Sequence, residues 1–245
     1  MKKLVAYITC AYPDKNFTED LILSLKENGV DFVELGVPFS DPVADGPVIE
    51  EANLKALQNG FRMRDLFEVS QKVAKEIDTL WMGYFNPFYK NGVDFHINKA
   101  KELGVKGFII PDLPYEEACS YKDEFDKNGI TLIDFVAPTD SKKRIKTVTK
   151  DAKTFIYLVA YAGITGAGKS ENLSEVIANI REVSDTEIFL GFGVNEKTAK
   201  EKSKNVDGVI VGSAFVKILL DDNLTKSKKI DNILKLASFI KAEIN

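Results

Sequence analysis

Phe32-Val33-Glu34-Leu35-Gly36-Val37-Pro38-Phe39-Ser40-Asp41-Pro42-Val43-Ala44-Asp45-Gly46-Pro47 runs from an apolar stretch, through a loop, to the start of a helical pattern. Residues 32–35 predict a short buried strand. Pro38, Pro42, Gly46 and Pro47 break the chain into a loop, and helical spacing begins near Val48. Glu34 is the odd residue. A carboxylate in an apolar strand is costly unless it is paired, protonated or put to use. An edge strand facing water is the plain alternative, but a strand followed directly by a helix favours a parallel sheet buried on both faces. Eleven residues further on, Asp45 stands just ahead of the helix. It is a favoured N-cap type there, and Pro47 suits the first helical turn. Capping does not preclude chemistry. Two carboxylates, one on a strand and one in the following loop, can meet in a single pocket that separates their pKa values.

Outward from this stretch the same unit repeats. Strands are predicted over 4–10, 79–84, 107–110, 130–136, 154–160, 187–190 and 207–211. Helical runs follow each, over 17–28, 48–58 with 63–77, 93–103, 115–128, 141–150, 173–183, 196–202, and finally 214–220 with 228–244. The chain is broken at Asn86-Pro87, and Gly29, Gly60 and Gly129 are natural helix stops. That makes eight strand-then-helix units with no linker between them. Eight such units in 245 residues is the pattern of a single (β/α)8 barrel spanning 1–245. A doubly wound sheet is the alternative, because alternation does not prove closure. In a barrel the chemistry sits at the C-terminal ends of the strands, where Glu34 and Asp45 fall.

Composition narrows the function classes. A net charge of −4 argues against a general nucleic-acid surface. No apolar run reaches the roughly 18 residues of a membrane span, and no signal-peptide core opens the chain. Cys10 and Cys119 have no metal-like spacing, so reduced thiols and a cytoplasmic location are expected. His96 is the only histidine, which speaks against a histidine triad and against a metal site. The basic runs at 142–144 and 226–229 read as solvated helix faces.

Two late loops suit phosphate. Gly191-Phe192-Gly193 follows the seventh strand, and Gly212-Ser213-Ala214 follows the eighth and opens a helix. Barrels frequently build phosphate sites from these two loops and that helix terminus. The plain alternative is that these glycines merely turn the chain. After the sixth strand, Gly163-Ile164-Thr165-Gly166-Ala167-Gly168-Lys169-Ser170 satisfies the P-loop pattern G-x-x-x-x-G-K-[ST]. It supplies an alternative function, nucleotide hydrolysis. The reading is disfavoured because the pattern falls in the sixth unit of a barrel-like chain, and no later strand ends in an Asp placed for Mg²⁺.

The string Glu34 to Pro47 resembles the signature of the tryptophan synthase alpha subunit family. The resemblance extends to Tyr84-x-Asn86-Pro87, Pro111-Asp112-Leu113-Pro114, Ala137-Pro138-Thr139, Gly163 to Gly166, Gly191-Phe192-Gly193 and Gly212-Ser213-Ala214. It implies retro-aldol cleavage of indole-3-glycerol phosphate to indole and glyceraldehyde 3-phosphate, a step in tryptophan biosynthesis. It implies a beta-subunit partner in an alpha2-beta2 complex, with pyridoxal phosphate in that partner and no cofactor in this chain. By the resemblance Glu34 is the general acid/base, and Asp45 accepts the indole N–H. Tyr157, Tyr7, Met82, Ile109, Phe135, Phe192 and Ile210 surround the indole. Gly166, Gly193, Gly212 and Ser213 hold the phosphate, and Thr165 reaches Asp45 when a lid closes.

Three positions depart from the family's pattern. Only Met1-Lys2-Lys3 precede the first strand, where the family usually has a helix; Ala11-Tyr12-Pro13 replaces the usual G-D-P or G-Y-P turn; and Tyr161 replaces a polar loop residue. A second enzyme reading is another phosphate-binding barrel of the same pathway, such as indole-glycerol-phosphate synthase or phosphoribosylanthranilate isomerase. Of these, indole-glycerol-phosphate synthase would place a lysine in a barrel strand, and no predicted strand core here carries one. An inactive barrel serving only as an allosteric partner is a further alternative, against which both carboxylates stand.

Overall fold

The computed structural model describes residues 1–160 and 173–245. Among them nine strands form one parallel sheet: β1 (Lys3–Thr9), β2 (Phe32–Gly36), β3 (Asp78–Met82), β4 (Gly107–Ile109), β5 (Thr131–Leu132), β6 (Asp134–Val136), β7 (Ile156–Val159), β8 (Ile188–Gly191) and β9 (Gly208–Val211). Their order is β5-β4-β3-β2-β1-β9-β8-β7-β6. β5 and β6 are two pieces of one extended run, parted only by Ile133, whose N–H donates to the Phe108 carbonyl at 2.9 Å. The first piece pairs with β4 and the second with β7. The two ends of the sheet are therefore one stretch of chain, and the ring closes. This is the expected parallel barrel.

The helices are α1 (Lys15–Glu27), α2 (Pro47–Gln58), α3 (Met63–Val73), α4 (Phe85–Lys90), α5 (Val93–Leu103), α6 (Tyr115–Asn128), α7 (Lys142–Thr149), α8 (Leu173–Arg181), α9 (Ala199–Lys202), α10 (Ser213–Leu219) and α11 (Lys226–Ile244). Sequence dictates them locally. In α1, Asp14 accepts the Phe17 N–H at 3.0 Å as N-cap, and Phe17, Leu21, Ile22 and Leu25 recur on one buried face. One apolar layer lies between helices and strands, and a second fills the barrel with Val5, Leu80, Ile109, Ile133, Phe155, Phe189 and Ile210. Both strand faces are thus buried, which is why the strands read as near-continuous apolar runs. At the N-terminal ends of the strands Phe155 and Phe189 stack at 4.3 Å, and Phe32 packs edge-on at 6.2 and 5.8 Å. These three rings fill the barrel floor.

Asp31 ties that floor to the end of the chain. Its carboxylate accepts the Leu4 N–H at 2.8 Å and Lys241 Nζ at 2.6 Å, while Lys241 also donates to the Lys2 carbonyl at 2.8 Å. Some elements differ from expectation. The break foreseen at Asn86-Pro87 is a helix, α4, because Pro87 lies in its first turn, where an N–H has no intrahelical acceptor. The strand foreseen over 79–84 ends at Met82, and Tyr84 instead caps α4. The helix foreseen over 196–202 shrinks to α9, because Thr198 Oγ1 takes the Asn195 N–H at 3.0 Å and holds a turn there.

Candidate active site

At the C-terminal ends of the strands lies a cavity of about 740 Å³. Glu34 enters it from β2, in register with Tyr7 of β1 and Leu80 of β3, and is 2% exposed. Asp45 enters from the loop after β2. Tyr7, Met82, Tyr157 and Ile210 contribute the apolar wall, and Phe192 and Gly193 the rim. Two close approaches shape this wall. A Cβ on Gly36 would lie 2.3 Å from the Tyr7 hydroxyl, and one on Gly191 would lie 2.4 Å from that of Tyr157. Only glycine at the end of one strand admits the tyrosine from the strand beside it. Tyr157 is further steadied by stacking on Phe135 at 4.9 Å.

Burial governs the electrostatics. It pushes the Glu34 carboxyl up to about 8, and the negative charge of Asp45 adds to the rise. Burial also lifts Asp45 to about 6, partly offset by a hydrogen bond from Tyr84, with a small further rise from Glu50. Between these values one carboxyl is protonated and its neighbour is ionised. Glu34 Oε1 and Asp45 Oδ2 are both buried without a partner among the described residues. Unsatisfied buried oxygens in a cavity wall call for a ligand that satisfies them.

Asp45 does not cap α2, as its residue type suggested. Gly46 is the N-cap and Pro47 the first helical residue, so the Asp45 carboxylate is free for the cavity. Tyr84 was not foreseen as a site residue. It is buried, its hydroxyl accepts the Ala44 N–H at 2.9 Å, and its ring stacks on Phe39 at 5.5 Å. The signal that could have pointed to it is its place just past the third strand, at the catalytic face. Val48 and Ile49 of α2 and Lys217 of α10 also line the cavity. Lys217, four residues after Ser213, shares its helix face and was legible from spacing.

Of the residues foreseen, Glu34, Asp45, Tyr7, Met82, Tyr157, Phe192, Ile210, Gly193, Gly212 and Ser213 meet in this cavity. Ile109 and Phe135 do not line it. Ile109 is fully buried in the barrel interior, and Phe135 backs Tyr157 and faces a smaller pocket beside Tyr115. Thr165, Gly166, Tyr161 and the P-loop-like stretch 163–170 lie outside the described residues. His96 is buried within hydrophobic reach of Phe67, Phe88 and Phe95, and its Nδ1 meets the Gly92 carbonyl at 2.9 Å. Among the described residues no three His, Cys, Asp or Glu side chains gather into a metal site, and no helix is long and apolar enough to cross a membrane.

Known proteins show the same arrangement of sequence and fold. Residues 1–245 match the family model of the tryptophan synthase alpha chain. A tryptophan synthase alpha chain from Wolinella succinogenes is 58% identical over 246 residues, spanning 100% of this chain and 96% of the relative. The solved tryptophan synthase subunit alpha from Campylobacter jejuni superposes with a TM-score of 0.87 at 34% identity, over 96% of this chain and 95% of that one. A solved chain from Aquifex aeolicus VF5 gives a TM-score of 0.88 at 36% identity, over 99% of this chain and 92% of that one. Nothing in these comparisons supports nucleotide hydrolysis.

Proposed function

The chain belongs to the tryptophan synthase alpha chain family, a lyase family that cleaves indole-3-glycerol phosphate in tryptophan biosynthesis, and from that premise we propose how its residues divide the reaction. Residues 1–245 act as one catalytic domain. Glu34, protonated near neutrality, gives its proton to C3 of the indole ring. The positive charge then rests on the ring nitrogen, where Asp45, ionised, accepts the N–H hydrogen bond and is strengthened as the charge develops. Glu34, now a carboxylate, takes the proton from the hydroxyl on the carbon attached to the ring. That oxygen forms the aldehyde C=O, the carbon–carbon bond breaks, and its electrons return to the ring. Indole and glyceraldehyde 3-phosphate leave, and Glu34 is protonated again.

Tyr7, Met82, Tyr157, Phe192 and Ile210 clamp the indole, with Ile109 and Phe135 supporting them from behind. Gly193, Gly212 and Ser213 offer backbone and hydroxyl donors to the phosphate, joined by Gly166. Thr165 reaches Asp45 to exclude water. A beta subunit holds pyridoxal phosphate and receives the indole within an alpha2-beta2 heterotetramer in the cytoplasm; this chain itself uses no cofactor. The observation that carries the reading is two carboxyls facing one apolar cavity, Glu34 buried and Asp45 half-buried, each with an oxygen that has no partner among the described residues. Indole release from indole-3-glycerol phosphate, with and without a beta subunit, tests it. Slow release alone and faster release with the partner is expected; no release in either case would overturn it.

A further inference from the structure

Phe192 and Gly193 take φ values of +72° and +67°, two consecutive residues in the left-handed region. Glycine adopts this conformation freely, whereas a bulky residue such as Phe192 is strained there and must be held by its surroundings. Side chains from the α9 region hold it. The Phe192 carbonyl accepts Lys202 Nζ at 2.7 Å. The Gly193 carbonyl accepts the Thr198 hydroxyl at 2.7 Å, and that hydroxyl accepts the Asn195 N–H at 3.0 Å. Lys202 ends the four-residue α9, and Thr198 precedes it.

In a planar trans peptide the carbonyl and the following N–H point to opposite sides. Fixing the Phe192 and Gly193 carbonyls toward α9 therefore turns the Gly193 and Val194 N–H groups the other way. Gly193 and Val194 line the cavity, whereas Thr198 and Lys202 do not. Among the described residues neither of these two N–H groups has a protein acceptor. Two outward-turned carbonyls on tethers, backed by two unclaimed donors at a cavity rim, make an anion cradle.

We propose that Lys202 is a positioning residue for the substrate phosphate: together with Thr198 it holds residues 192–193 in the left-handed form that presents two backbone donors to the phosphate ester. The proposal rests on the reading of this cavity as the indole-3-glycerol phosphate site. Lys202 touches no substrate. Its stem is half-buried, and burial lowers the pKa of its ammonium, which marks a head group held against a carbonyl and partly withdrawn from water. Methionine at this position keeps the apolar stem and removes the donor, whereas arginine keeps a donor.

The test is calorimetric binding to the full chain of glycerol 3-phosphate and, separately, of uncharged indole, for the unaltered protein, Lys202→Met and Lys202→Arg. Lys202→Met is expected to weaken glycerol 3-phosphate by about tenfold or more, the scale of one charged hydrogen bond. Indole affinity should stay within about twofold, and Lys202→Arg should recover most of the phosphate affinity. In turnover the same variant raises KM more than it lowers kcat. Unchanged glycerol 3-phosphate affinity in Lys202→Met overturns the proposal. So does joint loss of both ligands without rescue by arginine, which would assign Lys202 to folding alone. An unaltered chain that binds indole but no glycerol 3-phosphate would instead sink the phosphate reading on which the proposal stands.

Discussion

Burial sets the chemistry of Glu34 before any substrate arrives. With Glu34 at about 8 and Asp45 at about 6, the pair proposed to act, Glu34 protonated and Asp45 ionised, dominates between those values. The pH profile of kcat/KM should be a bell with its acid limb from Asp45 and its alkaline limb from Glu34. Tyr84→Phe removes the hydrogen bond that lowers Asp45, so its acid limb should move to higher pH; an unmoved limb would detach Tyr84 from Asp45. Glu34→Gln should cut cleavage by about 10²–10⁴-fold while glycerol 3-phosphate still binds. It should also stabilise the fold. The native Glu34 pKa lies above its ordinary 4.5, so its contribution is full below that value and is lost as pH rises through about 8. Thermal melts should therefore show Glu34→Gln gaining on the order of 3 kcal/mol at pH 8 and nothing at pH 4. Glu34 was legible because a carboxylate inside an apolar strand needs a reason. Tyr84 was not, because its role depends on a loop from β2 meeting the end of β3, a contact that no local pattern announces.

Among the elements, strands were legible and their pairing was not. Apolar runs buried on both faces announce themselves, but nothing in 131–136 tells that its first half pairs with β4 and its second with β7. Loop chemistry misled where two local rules competed. Asp45 has the composition of an N-cap, yet Gly46 takes that place and leaves the carboxylate free. Asn86-Pro87 looks like a break, yet proline in a first turn costs no hydrogen bond. The barrel floor makes the element-scale prediction. Phe189 is fully buried between Phe155 and Phe32. Phe189→Ala should cost about 3–5 kcal/mol in urea unfolding. A loss under about 1 kcal/mol would mean the floor repacks.

For the whole molecule, a side-chain latch adds to the closed sheet. Asp31 and Lys241 join the first turn of the barrel to its last helix, and both side chains are largely shielded. Lys241→Met should lower unfolding stability by about 1 kcal/mol, because Asp31 loses a charged partner but keeps the Leu4 N–H and Lys3, while kcat stays unchanged. An equal loss of kcat would show that the latch reaches the site. The barrel itself was legible from eight repeating units; its reaction and partner came only with the resemblance, since no count of strands names a substrate. The glycine–tyrosine approaches bear on something else, the routes open to the sequence over time. Gly36 with Tyr7, and Gly191 with Tyr157, each behave as one two-letter word. A side chain at either glycine is harmful while its tyrosine stays and tolerable once that ring has shrunk. Drift at these positions must therefore follow an order, tyrosine first, and the effect of one change reverses with the background it meets.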